Sequence, residues 1–151
     1  MAPTRTPFED TSVSVERSKD QIRRFLKDSG ALGVQFDEEW GDEPICRVRF
    51  VWPLDDDNRQ TVRLEVSPLP PRKGGYGKGA TITAEQRERQ AWRGLAHYLE
   101  GTLKAATFGL IRFEDIFLSF MEVSPTDNRT IGDVVIPRIQ AGQLALPRGS
   151  E

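Results

Sequence analysis

The chain has one cysteine, Cys46, and one histidine, His97, among 151 residues. A lone cysteine excludes an internal disulfide, and two such residues are too few for the Cys/His sets that hold structural zinc. No apolar run approaches the about 18 residues needed to cross a bilayer, and no secretory leader pattern precedes the first ordered segment. These absences predict no membrane partner, no cofactor and a cytoplasmic setting in a bacterial host cell. Net charge is nearly absent too: 21 basic and 23 acidic residues leave −2. A chain-wide pull toward nucleic acid is thereby excluded, so any such contact must come from local clustering.

The residues present suit one folded domain. Hydrophobic residues make up 37% and charged residues 29%, enough apolar material for a core beneath a heavily solvated surface. Residues 1–12, polar with two prolines, predict a flexible arm. Ser18 followed by Gln21 has the form of a capping box opening a helix over 18–29, with Ile22, Phe25 and Leu26 on one face and Gly30 as its stop. Three runs then alternate at period two: Leu32/Val34/Phe36, Cys46/Val48/Phe50/Trp52 and Val62/Leu64/Val66. Such alternation predicts an antiparallel sheet with one buried face, joined by the turn-rich stretches WGDEP and PLDDDNRQ.

Thr83 with Gln86 opens the strongest helix, its stripe Trp92, Leu95, Leu99, Leu103 and Ala106 running to about Phe108. Phe113, Ile116, Phe117 and Phe120 at i, i+3, i+4 and i+7 predict a second, aromatic helix. A turn follows at SPTDNR, then a short helix over 130–136. After Pro137 a weakly structured tail, 138–151, is expected. The fold class is α+β, in the order α-β-β-β-α-α. Its small antiparallel three-stranded sheet is covered on one face by helices, within a single domain over 13–137. The predicted core is Trp92, Leu95, Leu99, Phe113, Ile116 and Phe117 over Val48, Phe50, Val62 and Leu64.

Charge is unevenly spread. Acids gather at 37–43 and 55–57, bases at 72–78 and 87–93. The segment SPLPPRKGGYGKGA lacks the material for a regular element and reads as a loop feeding a capped helix. Glycines there would let backbone N–H groups approach a phosphate. The spacing is neither a P-loop nor GxGxxG. Together Arg72, Lys73, Lys78, Arg87, Arg89 and Arg93 form a candidate phosphate- or nucleic-acid-binding patch, with Tyr76 as a stacking residue. The simpler alternative is a solvated loop and helix face, the arginines paired with Glu85 and Glu88.

Other constellations fail on their missing members. Asp55 and Glu65 match two positions of two-carboxylate metal nucleases, but Ser67 stands where the lysine belongs. Asp55 and Asp57 resemble the start of a calcium loop that lacks its sixth-position glycine. His97 has no catalytic partner in the pattern, and Cys46 reads as a core thiol.

The element order and the basic loop before the second helix resemble, in layout only, the double-stranded-RNA-binding domain; the acids in AEQRERQ depart from that family's lysine cluster. A second resemblance rests on Arg89, Trp92, Arg93, Leu95, Phe108, Gly109, Phe113, Glu114, Phe117, Thr130, Ile131 and Gly132. This pattern resembles a family of uncharacterised small proteins from tailed phages, prophages and actinobacterial genomes. It implies a phage context and no mechanism. The functional expectation is a non-enzymatic phage-type accessory protein contacting DNA or RNA through the basic loop and helix start. The alternative is an inhibitor that binds a host protein or a nucleotide, with a homo-oligomer also open.

Overall fold

The computed structural model describes residues 5–73 and 81–143. Helix α1, Val15–Ser29, starts one turn earlier than expected. Ser14, not Ser18, is its cap, its Oγ accepting from the Arg17 backbone N–H at 3.1 Å. The reason is burial: Val15 shares the inward face with Ser18, Ile22 and Leu26, and packing it against the core extends the helix. Gly30 ends α1 in the left-handed conformation at φ 108°, and its N–H returns to Leu26 C=O.

Strands β1 (Gly33–Glu39), β2 (Ile45–Pro53) and β3 (Arg59–Val66) form an antiparallel sheet in that order. The register sets Val34 against Phe50, and Phe50 against Val62. One face therefore carries the apolar set Val48, Phe50, Val62 and Leu64. It merges into a single core with Ile22 and Leu26 of α1 and with Trp92, Ala96, Leu99 and Leu103 of helix α2, Ala84–Thr107. Thr83 caps α2 by accepting from Gln86 N–H. The predicted core is buried throughout, except that Ile116 is only partly covered.

The aromatic segment does not form one helix. Helix α3, Phe113–Phe117, gives way to a 3₁₀ turn over Leu118–Phe120. The tighter turn brings Met121 alongside Val62, where it bridges to β3. Phe113 stacks on Trp52 with ring centroids 3.9 Å apart, and Phe117 meets Phe50 edge-on at 5.5 Å. The turn expected at SPTDNR is the turn of a hairpin, β4 (Glu122–Ser124) with β5 (Asp127–Thr130). Helix α4, Ile131–Gln140, then opens on a complete capping box, Thr130 with Asp133.

Two expectations about the ends are corrected. Helix α4 runs through Pro137, so residues 138–140 are helical and not tail. The proline has no N–H to give the Asp133 carbonyl, so α4 continues past it with one internal hydrogen bond fewer. Residues 5–12 are not a loose arm. Glu9 is buried, and Gln86, Arg87 and Gln90 of α2 all bond to this segment. Phe8 sits at φ 60°, costing about 1–2 kcal/mol for a non-glycine residue. Arg72 and Ile82 exchange two backbone hydrogen bonds, at 3.0 and 2.8 Å, which close the glycine-rich segment at its base. No helix among the described residues is long and apolar enough to cross a membrane.

Candidate functional site

The structure does not gather the sequence-predicted basic residues into one patch. Arg87 is 5% exposed. Its guanidinium donates to Pro70 C=O at 3.0 Å and to Gln90 Oε1 at 2.8 Å, so it cannot reach a phosphate backbone. Arg72 is paired with Glu9 of the N-terminal segment. Arg93 donates to Gln21 on α1. Arg89 is exposed and donates to Gln86 Oε1 at 3.3 Å, and Lys73 is exposed. Tyr76 and Lys78 lie outside the described residues. The physical reason is helical: at about 100° per residue, positions 87 and 89 point to opposite sides of α2, while 89 and 93 share a side.

A different site emerges where the β1–β2 turn, the proline-rich segment after β3 and the first turns of α2 converge. They enclose a groove of about 680 Å³. Each wall follows from its sequence. The turn residues of WGDEP fold the hairpin back and leave Trp40 80% exposed at the rim. Pro68, Pro70 and Pro71 stiffen the opposite wall. The Thr83 cap starts α2 so that Glu85 and Glu88 face the groove. Among the described residues six carboxylates line it, from Glu38, Glu39, Asp42, Glu43, Glu85 and Glu88, against one cation, Arg87, whose Nε and Nη1 are already engaged.

The electrostatics are frustrated. Burial pushes the Glu88 carboxyl above its ordinary value, and the facing Glu38 pushes it further. Relief comes from Lys19, whose Nζ lies 2.7 Å from Glu38 Oε1 and 4.9 Å from the centre of the Trp92 ring. Glu39 is drawn partly aside, 3.8 Å from Arg47. Behind these acids the Cys46 thiol is pushed up to about 12, first by burial and then by Glu88 and Glu38. It is thus a neutral core thiol and no nucleophile. Among the described residues no three His, Cys, Asp or Glu side chains converge as a metal-binding set.

Sequence reasoning marked the acids at 37–43 as a cluster but assigned Glu85 and Glu88 to neighbouring arginines on the helix. Only the tertiary packing turns Glu88 toward Glu38. No family model, curated protein or solved structure matches this chain.

Proposed function

We propose that the protein is a non-enzymatic binding module that takes a basic, partly apolar segment of another protein into the acidic groove. The carrying observation is the combination of crowded, only partly neutralised carboxylates with an exposed tryptophan at one concave site. Lysine or arginine heads would relieve the Glu38–Glu88 repulsion, and their stems and apolar neighbours would cover Trp40 and the proline wall. Exposed aromatic anchors of this kind carry much of the energy of protein recognition. This extends the inhibitor alternative and leaves the partner's identity to experiment.

The test is fluorescence anisotropy with a labelled peptide alternating Lys and Leu, against a matched peptide alternating Glu and Leu. The basic peptide should bind, weaken as salt rises, and lose at least about tenfold in affinity with Trp40→Ala. Equal binding of both peptides, or indifference to Trp40→Ala, defeats the reading.

One observation favours a second reading, nucleic-acid contact. Arg17 and Arg24 lie one turn either side of Gln21, and Arg89 lies one turn before Arg93. The Gln21–Arg93 bond therefore has exposed arginines around it on both helices. If this seam tracks a phosphate backbone, a gel shift with duplex DNA or RNA should appear at low salt and fade with Arg89→Ala.

A further inference from the structure

Helix α2 holds residues 6–11 largely by their backbone. Gln90 Nε2 donates to Pro7 C=O at 2.7 Å, and Gln86 Nε2 donates to the carbonyls of Thr11 at 2.8 Å and Glu9 at 3.2 Å. Residues 7–10 form a turn, closed by the Glu9 N–H donating to Thr6 C=O and the Thr11 N–H donating to Phe8 C=O, and this turn presents its carbonyls to the two amides. Three side chains are read individually, the first being Thr6, whose Oγ1 accepts from Gln90 Nε2 at 2.8 Å and from Arg87 Nη1 at 3.4 Å. The Phe8 ring stacks on His97 at 4.5 Å, and Glu9 pairs with Arg72. The fit is imperfect. Phe8 is the one non-glycine residue at positive φ among those described. Beside Pro7 and Phe8 an open apolar space of about 420 Å³ remains, walled by Leu64, Leu69, Leu95, Tyr98 and Phe120.

We propose that Gln86, Gln90, His97 and Arg72 form a peptide-binding track and that residues 6–11 are its resident occupant. The displacing ligand is a turn-forming segment of another protein in which an aromatic residue is followed directly by an acid. An adjoining apolar side chain of that ligand would fill the vacant space better than Pro7 does. This track selects a ligand of opposite charge to that of the acidic groove, with which it shares Pro68, Leu69 and Arg87 as walls. The tethered segment acts at an effective concentration on the order of millimolar, so it shields the track from weak competitors and yields to a better-fitting one.

The probe is a labelled peptide of residues 5–12, RTPFEDTS. The full chain carrying Phe8→Ala and Glu9→Ala should bind it at least about tenfold more tightly than the unaltered chain, because its own segment competes less. Adding Arg72→Ala should remove that gain, and a peptide with lysine in place of its glutamate should not bind. In the unaltered chain, millimolar peptide should speed hydrogen exchange at the protein's own Thr6–Thr11 amides and leave core amides of α2 unchanged, a readout that needs no variant. Equal affinity of both chains together with unchanged exchange overturns the proposal. Concentration-dependent dimers that exchange this segment between copies would also overturn it, by assigning the track to a second copy.

Discussion

The groove and the outer face of the sheet are both dense in charge, yet they handle it in opposite ways. On the outer face Arg49 and Arg63 sit directly opposite each other on β2 and β3, and each is given its own acid. Arg49 donates Nε and Nη2 to Glu122 Oε1 at 2.9 and 2.6 Å, and Gln60 fixes the same strand by donating to Glu122 C=O at 2.8 Å. Arg63 lies 3.4 Å from Glu65 and 3.5 Å from Asp133, while Arg47 Nε donates to Glu65 at 2.7 Å. Opposite charges there pin the β4–β5 hairpin and the start of α4 to the sheet. In the groove, like charges are crowded and Lys19 is shared between them. Paired charge serves the fold. Crowded like charge costs stability.

The sharpest way to break this contrast is to unpair the outer face. Arg49→Ala leaves the Glu122 carboxylate, with 6% of its side chain exposed, without its cation. The expected loss is about 2–4 kcal/mol in urea unfolding. A loss below about 0.5 kcal/mol would place this pair with ordinary surface ion pairs and erase the distinction. Gly132→Ala probes the same attachment through packing. A Cβ there would stand 2.8 Å from Ser119 C=O, a backbone atom that cannot swing away. About 1–3 kcal/mol should be lost, read as a lower thermal midpoint.

The groove should respond with the opposite sign. Burial and Glu38 hold the Glu88 carboxyl above its ordinary value. A raised acid stabilises the fold while protonated. That contribution is present below the ordinary carboxylate range and lost as pH rises through the raised value. Above that raised value the ionised Glu88 therefore works against folding. Glu88→Gln should raise the thermal midpoint at pH 7 by a small amount, lose that advantage as pH falls below the carboxylate range, and weaken the Lys/Leu peptide. A variant that is less stable at pH 7 would show that Glu88 is compensated and that the groove is not frustrated.

The sequence made the layered architecture legible because burial leaves a periodic trace. The strands were readable from alternation, and α2 from the spacing of Trp92, Leu95 and Leu99. Boundaries were harder. Ser18 looked like a cap because Gln21 follows it three residues later, yet Ser14 caps the helix once Val15 is drawn into the core. Phe120 kept a helical interval from Phe113 although Met121 is pulled onto β3, a long-range demand that no local pattern carries. The site was the least legible. Arg72, Arg87 and Arg89 are neighbours in sequence and diverge in space, because one answers to Glu9, another to Pro70 and Gln90, and the third to solvent. The docked N-terminal segment left no trace at all, since side-chain amides meeting distant carbonyls have no period.

The paired bonds between Arg72 and Ile82 have a consequence for how this chain can change. They fix the two ends of the intervening stretch side by side, whatever lies between. Lengthening a loop whose ends are already clamped costs little, roughly 0.6 kcal/mol for each doubling. Residues inserted between positions 73 and 81 should therefore leave Ile82, Thr83 and the start of α2 in place.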